Sequence, residues 1–237
     1  MTLVNTTISG NRAPGGSALV NASGTTVLTY TTIANNTTDS AGYGIQKGTG
    51  FILAKNTIIA YNDDKNCAQG AVISNDYNLD SDGSCDLAES NDQSEVDPEL
   101  APLADNLGTL VHAIAAGSPP HDTGDCQASI LTDQRGVHRL APCDVGACEY
   151  GQIYTLTMAT DGTGAGTVEP PVETHIYLDG AVVPITATVG QHSTFEGWSG
   201  GLDGLTNPTS ITMDGNKTVT ATFMMIDYCV YLPLVSK

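Results

Sequence analysis

Apolar and polar residues along this chain follow no sustained 3.6-residue period. Short runs rich in Thr, Val and Ile alternate with Gly, Asn and Asp every few residues. Such runs read as brief strands joined by tight turns. Near the start the pattern repeats at a fixed offset. Leu3, Leu28 and Leu53 are 25 apart, as are Thr7, Thr32 and Thr57, and Ile8, Ile33 and Ile58. Thr6 and Thr31 share that step with Asn56 third, Asn11 and Asn36 follow, and Val20 with Ile45 marks a second column. A helical repeat does not suit Thr-Thr-Ile and Asn-Asn-Thr-Thr, which favour strands and turns.

A repeat of this length with short strands is one coil of a β-solenoid, with coils stacked about 4.8 Å apart. Ile8, Ile33 and Ile58 are then expected to form an internal ladder, and Asn11 and Asn36 to stack at a corner. No coil can bury its own core, so stacking is obligatory. An uncapped first coil would expose a sheet edge, which leads us to expect further coils upstream.

From residue 66 to 149 the chain carries a series of short words. They are Asn66-Cys67, Ser74-Asn75-Asp76-Tyr77-Asn78-Leu79, Asp97-Pro98-Glu99-Leu100, Gly117-Ser118-Pro119, Thr132-Asp133-Gln134-Arg135-Gly136 and Cys143-Asp144-Val145-Gly146-Ala147. In this order they resemble the C-terminal region of bacterial choice-of-anchor Q surface proteins with pectin-lyase-like helices. His121 departs from that pattern, standing where an aliphatic residue is usual, and Cys148 replaces a usual aromatic. The resemblance implies an all-β fold, the C-terminal coils and cap of a right-handed parallel β-helix, over residues 1–151.

Residues 153–223 resemble a divergent bacterial repeat related to internalin B repeats. The words are Tyr154-Thr155-Leu156-Thr157, Gly162-Thr163-Gly164-Ala165-Gly166-Thr167-Val168, Phe195-Glu196-Gly197-Trp198-Ser199-Gly200, Ile211-Thr212-Met213-Asp214 and Lys217-Thr218-Val219-Thr220-Ala221-Thr222-Phe223. This implies a small β-rich module at 152–224, followed by a tail at 225–237.

Eight Lys and Arg face 26 Asp and Glu, a net charge of −18. Such a chain repels phosphate backbones, which excludes nucleic acid as a natural partner. No apolar run is long enough to span a bilayer. The six cysteines, without a C-x-x-C pair, fit disulfides and an oxidising compartment better than zinc. Among the connectivities they allow, we expect Cys67–Cys85, Cys126–Cys143 and Cys148–Cys229, the first two worth roughly 3 kcal/mol each in the chain-entropy model. No leader precedes the first strand-like residues, so the export signal is expected upstream.

Candidate chemistry is sparse. Asn78, Asp80, Asp82, Gly83 and Glu89 have the spacing of a calcium loop, with oxygens at positions 1, 3, 5 and 12 and Gly at 6. The plainer reading is a solvated acidic turn. Asp133 and Arg135 invite comparison with the carboxylates and Arg base of pectate-type lyases. The plainer reading is a buried pair in a C-terminal cap. Trp198 is either an exposed sugar platform or, as more often for a lone Trp, module core. The five His do not cluster in sequence, and none sits in a nucleophile motif.

The expectation is a non-catalytic, monomeric, secreted or cell-surface segment, structural or adhesive, with polysaccharide or a surface glycan as partner, no required cofactor and calcium as an option. The alternative is a fragment of a β-helical polysaccharide lyase or glycoside hydrolase.

Overall fold

The computed structural model describes residues 1–14, 17–39 and 42–226. The described chain is built of strands and turns without a helix, and it divides into two compact units, the first Met1–Gly151 and the second starting at Gln152.

In the first unit, successive circuits of the chain stack as parallel ladders. Strand Thr2–Ser9 pairs with Thr25–Ala34 in the register Leu3↔Leu28 and Ile8↔Ile33. Thr25–Ala34 then pairs with Phe51–Lys55 and Ile58–Ala60. Val72–Ser74 continues from the first of these, and Leu79–Asp80 with Gln93–Ser94 from the second. A second ladder joins Leu19–Asn21, Tyr43–Lys47 and Lys65–Cys67, and a short third joins Arg12–Ala13 to Thr37–Thr38. Leu28, Ile33, Ile45, Ile52 and Ile59 are fully buried between the ladders. The buried face of each strand is therefore satisfied only by neighbouring circuits, as expected of a stacked repeat.

The 25-residue step holds for one circuit only. After Thr38 the chain takes one residue more to reach Ile45 than it took from Ala13 to Leu19. Leu53 consequently pairs with Val27, and Ile59 rather than Ile58 stands over Ile33. Val20 pairs with Gln46, while Leu19 takes the place beside Ile45. A one-residue slip reverses the face a strand residue presents. Ile52 thus points inward and fully buried, and Leu53 is left half-buried. Leu and Ile neighbours made the wrong column look continuous in the sequence.

Two left-handed backbone positions recur in each circuit. Asn5, Tyr30 and Asn56 have φ of 48°, 49° and 50°, and Gly10, Asn35 and Tyr61 form the second set. Glycine and asparagine enter this region cheaply, but a tyrosine does not. Tyr30 is held there by its surroundings: its hydroxyl donates to Asp125 O at 2.6 Å, and the Arg139 guanidinium lies 3.7 Å from its ring centroid.

Those contacts come from the segment containing residues 112–149, which lies along the stack's side. Asn5 Nδ2 donates to Thr132 O, Thr7 Oγ1 to Gln134 Oε1, Gly146 N to Asn56 O and Ala147 N to Thr32 Oγ1. Gly146 fits because a Cβ there would sit 2.7 Å from Ile58 Cδ1. This strap crosses three successive circuits and explains why Tyr30 to Ala34 are buried on both faces.

The second unit has its own core. Strands Thr174–Leu178, Ile153–Asp161, Lys217–Met225 and Ser193–Gly200 pair in that order, the central pair parallel and the others antiparallel. Val182–Val189 pairs with Gly166–Glu169 on one side and Thr209–Thr212 on the other. Alternate residues Val219, Ala221 and Phe223 face inward with Leu156, Met158, Val183, Ile185 and Ile211. Gly162 has φ of 97°, and a Cβ there would lie 2.0 Å from Phe223 O, so only glycine fits the turn leaving strand Ile153–Asp161.

Candidate functional site

Polar groups buried in the first unit form a directed ladder. Asn11 donates its backbone N and its Nδ2 to Asn36 Oδ1, at 3.0 and 2.9 Å. Asn36 does the same to Asn62 Oδ1, and Asn62 to Asn66 Oδ1. Asn66 Nδ2 then donates to Asp80 Oδ1 at 2.8 Å. Each asparagine amide gives to the next Oδ1, Asn36 and Asn62 Nδ2 also give back to Ile8 O and Ile33 O, and the Asp80 carboxylate accepts at the end of the row. A second, shorter row ends the same way: Thr57 N donates to Asn78 Oδ1, and Asn78 N to Asp92 Oδ1.

This network takes up the residues with calcium-loop spacing. Asp80 is buried and also accepts from Cys85 N and Asp82 N; burial pushes its carboxyl up from the ordinary range. Asp82 accepts from Asn66 N, Ser84 N and Ser84 Oγ. Asn78 is buried and spends Nδ2 on Ala54 O and Ser74 Oγ. Glu89 is exposed, its backbone N donating to Asp92 Oδ2. Asn78 Oδ1 accepts from Thr57 N, and the Asp80 and Asp82 carboxylates accept from Asn66 as well as from N–H groups nearby in the chain.

Beside this corner lies an open groove of about 640 Å³, lined by Tyr43, Asp64, Lys65, Asp82, Asp86 and Glu95 among others. Asp64 Oδ2 accepts from Gly42 N, while Asp86 is exposed. Glu95 packs on Gly83, where a Cβ would meet Glu95 Cγ at 2.7 Å. Of these residues only Asp82 and Gly83 stood out in the sequence; stacking brings the others together from separate circuits, so no linear motif marks them.

The strap holds a buried charge cluster. Asp133 accepts from Arg135 N and Val137 N on one oxygen, and from Arg135 Nε, Arg135 Nη2 and Glu149 N on the other. Arg135 Nη2 also donates to Glu149 O. This buried pair has its hydrogen bonds satisfied internally. Beneath it, the Arg139 guanidinium pairs with Glu149 and reaches Asn5 Oδ1 and Gly146 O. Burial pushes the Glu149 carboxyl up to about 7, against the opposing pull of Arg139. Sequence reading passed over Arg139 and Glu149 as a pair, because residues ten apart in a loop carry no contact signal.

His121 Nε2, with carboxylate oxygens of Asp122 and Asp144, forms a trio whose ligand atoms lie within 4.8 Å of one another. His121 Nδ1 accepts from Gly117 N at 3.3 Å. The neutral ring then carries its proton on Nε2, facing Asp122 Oδ2 at 3.6 Å. Burial raises the Asp144 carboxyl, although the N–H groups of Asp122 and Tyr150 oppose it.

Disulfides Cys67–Cys85 and Cys126–Cys143 are formed. Cys148 is a buried thiol without a disulfide partner among the described residues, and burial raises its pKa to about 12; its expected partner, Cys229, lies outside the described residues, as does most of the tail. Trp198 offers no platform: it is 5% exposed, its Nε1 donates to Thr206 O, and its ring packs edge-on against Phe195. Its neighbours are the apolar core, which is why the ring is drawn inside.

Residues 154–227 match the family model of the divergent InlB B-repeat domain. Over that span the second unit is similar to an InlB-type repeat. No curated protein and no solved structure matches the chain. The InlB-type repeat and the two disulfides are consistent with an extracellular or surface location.

Proposed function

We propose that this chain is a non-catalytic, extracellular structural or adhesive segment, in which a right-handed parallel β-helix presents a rigid surface and the InlB-type repeat serves as spacer or binding unit. The observation that carries this reading is how the buried polar residues of the first unit are used. The ladder from Asn11 to Asp80 and the Asp133–Arg135–Glu149 cluster spend their donors and acceptors on the backbone and on one another. Groups committed in this way rigidify a fold and are not free to carry a reaction. In the lyase or hydrolase alternative, Asp133 and Arg135 would have to face substrate, and both are buried. The resemblance to choice-of-anchor Q proteins supports the same role.

Ligand binding on this scaffold is assigned to the groove, where Tyr43 offers a ring and Asp64, Asp86 and Glu95 offer acceptors for hydroxyl groups. A neutral polysaccharide or surface glycan fits that chemistry better than an anionic polymer. Antibody raised to this chain should label intact cells that produce it; label appearing only after lysis would overturn the surface role. Glycan-array binding lost in Tyr43→Ala would support the groove, and an array silent for the wild-type chain would remove glycan binding from the proposal.

A further inference from the structure

Ser9, at the end of strand Thr2–Ser9, meets the strap at His112. Ser9 Oγ lies 2.7 Å from His112 Nε2, and His112 Nδ1 lies 2.7 Å from Ala101 O. A carbonyl oxygen only accepts, so Nδ1 carries the ring proton and Nε2 keeps a lone pair. The Ser9 hydroxyl therefore donates to Nε2. Hydroxyl, base and orienting acceptor stand in the order that activates a serine as a nucleophile. The ring is fixed in place: His112 is 3% exposed, and Ala101 N donates to Ala113 O, tying the carbonyl's segment to the histidine's own. The hydroxyl is not a feature of the repeat. Ser9 pairs with Ala34, and Ala34 with Ala60, both alanines fully buried. Ser9 itself is half-buried, and beside it a Cβ added to Gly10 would meet nothing within 4 Å. At the matching left-handed positions of the next circuits, Asn35 and Tyr61 are exposed, so this opening belongs to the flank of the stack and recurs along it.

We propose that Ser9 is a nucleophilic modification site, with His112 as its base, that takes an acyl group from an activated ester or thioester. In the step, Ser9 Oγ bonds to the donor's carbonyl carbon while its proton passes to His112 Nε2. The bond from that carbon to the leaving oxygen or sulfur then breaks, and His112 gives the proton to the leaving alcohol or thiol. The product is a serine ester beside a neutral ring. Neighbouring contacts between this strand and the strap have no such base. Thr7 Oγ1 donates to Gln134 Oε1 and Asn5 Nδ2 to Thr132 O, and amide oxygens hold a proton poorly. Neither Ser9 nor His112 belongs to the asparagine row or to the groove assigned to glycan, so this site and that role can fail separately.

The test exposes the full, unaltered chain to p-nitrophenyl acetate, quenches samples in acid at short intervals and follows acetylation of each peptide by mass spectrometry. Ser9 should gain its acetyl group roughly 100-fold faster than the exposed Ser199, the size of effect that a positioned base supplies. Unfolding the chain in urea should erase that difference. In His112→Gln, whose side chain can bond to the Ser9 hydroxyl but takes no proton from it, the Ser9 rate should fall to that of Ser199 while Cys148 stays shielded from iodoacetamide. A Ser9 rate no higher than that of Ser199 in the folded, unaltered chain would overturn the proposal and leave the pair as a structural tie. So would acetyl found on His112 in place of Ser9, or a fast Ser9 rate that survives in His112→Gln or in urea.

Discussion

Replacing Asn62 by alanine interrupts the ladder at its centre. Asn62 Oδ1 accepts from Asn36 N and Nδ2, and Asn62 Nδ2 donates to Ile33 O and Asn66 Oδ1. The change orphans the buried backbone N–H of Asn36, at about 1–3 kcal/mol, and removes three further bonds at about 1 kcal/mol each, an expected loss of about 4–6 kcal/mol. Asn11→Ala makes the same chemical change at the exposed end, where Asn36 Oδ1 keeps the Asn11 backbone N–H; its cost should be about 1 kcal/mol. Urea unfolding followed by circular dichroism reads both changes. With a slope of about 2 kcal/mol per molar, Asn62→Ala should lower the midpoint of the first unit by on the order of 2 M. The single Trp198 lies in the second unit, so its fluorescence reports that unit separately and keeps the two transitions from being confused. Equal costs for the two variants, or a cost below about 1 kcal/mol for Asn62→Ala, would refute the idea that the ladder stabilises the stack through its interior.

Glu149 gives a pH dependence with a definite sign. Its folded carboxyl titrates near 7 and its ordinary value is 4.5, so between these the folded chain holds a proton that the unfolded chain has lost. Stability from this group is therefore lost as pH rises through that window, by no more than about 3 kcal/mol; a Glu149→Gln chain with an unchanged pH slope would show that another group is responsible. Cys148 should resist iodoacetamide in the native protein and react once unfolded, and rapid native alkylation would contradict its burial. Gly162→Ala should cost the second unit at least about 3 kcal/mol, read by a fall in its Trp198 transition, because both the left-handed backbone and Phe223 O oppose a Cβ. Millimolar calcium should leave the unfolding transition of the first unit unmoved, since Asp80 and Asp82 already accept several N–H and O–H donors; a clear rise would show that the loop rearranges to bind the ion.

Periodicity alone determined that this chain stacks short parallel strands. The steps Leu3 to Leu28, Ile8 to Ile33 and Asn11 to Asn36 are all pairings in the structure, because a repeat that cannot bury its own apolar face must place like on like. The words around Trp198 and Lys217–Phe223 likewise marked the second module, and the cysteine pairs Cys67–Cys85 and Cys126–Cys143 were legible with them. What tertiary structure alone decided were the facts that depend on neighbours from other circuits. One extra residue after Thr38 moved Ile59, not Ile58, over Ile33, a slip invisible among adjacent aliphatic residues. Of the residues with calcium-like spacing, Asp80 ends the asparagine row and Asn78 stands inside the shorter one, because Asn66 and Thr57 reach them from earlier in the chain. The strap of residues 112–149 lies beside the stack because Tyr30, Thr32 and Asn56 offer it partners there, and a one-dimensional pattern records what each residue is without recording which side of a coil it will meet.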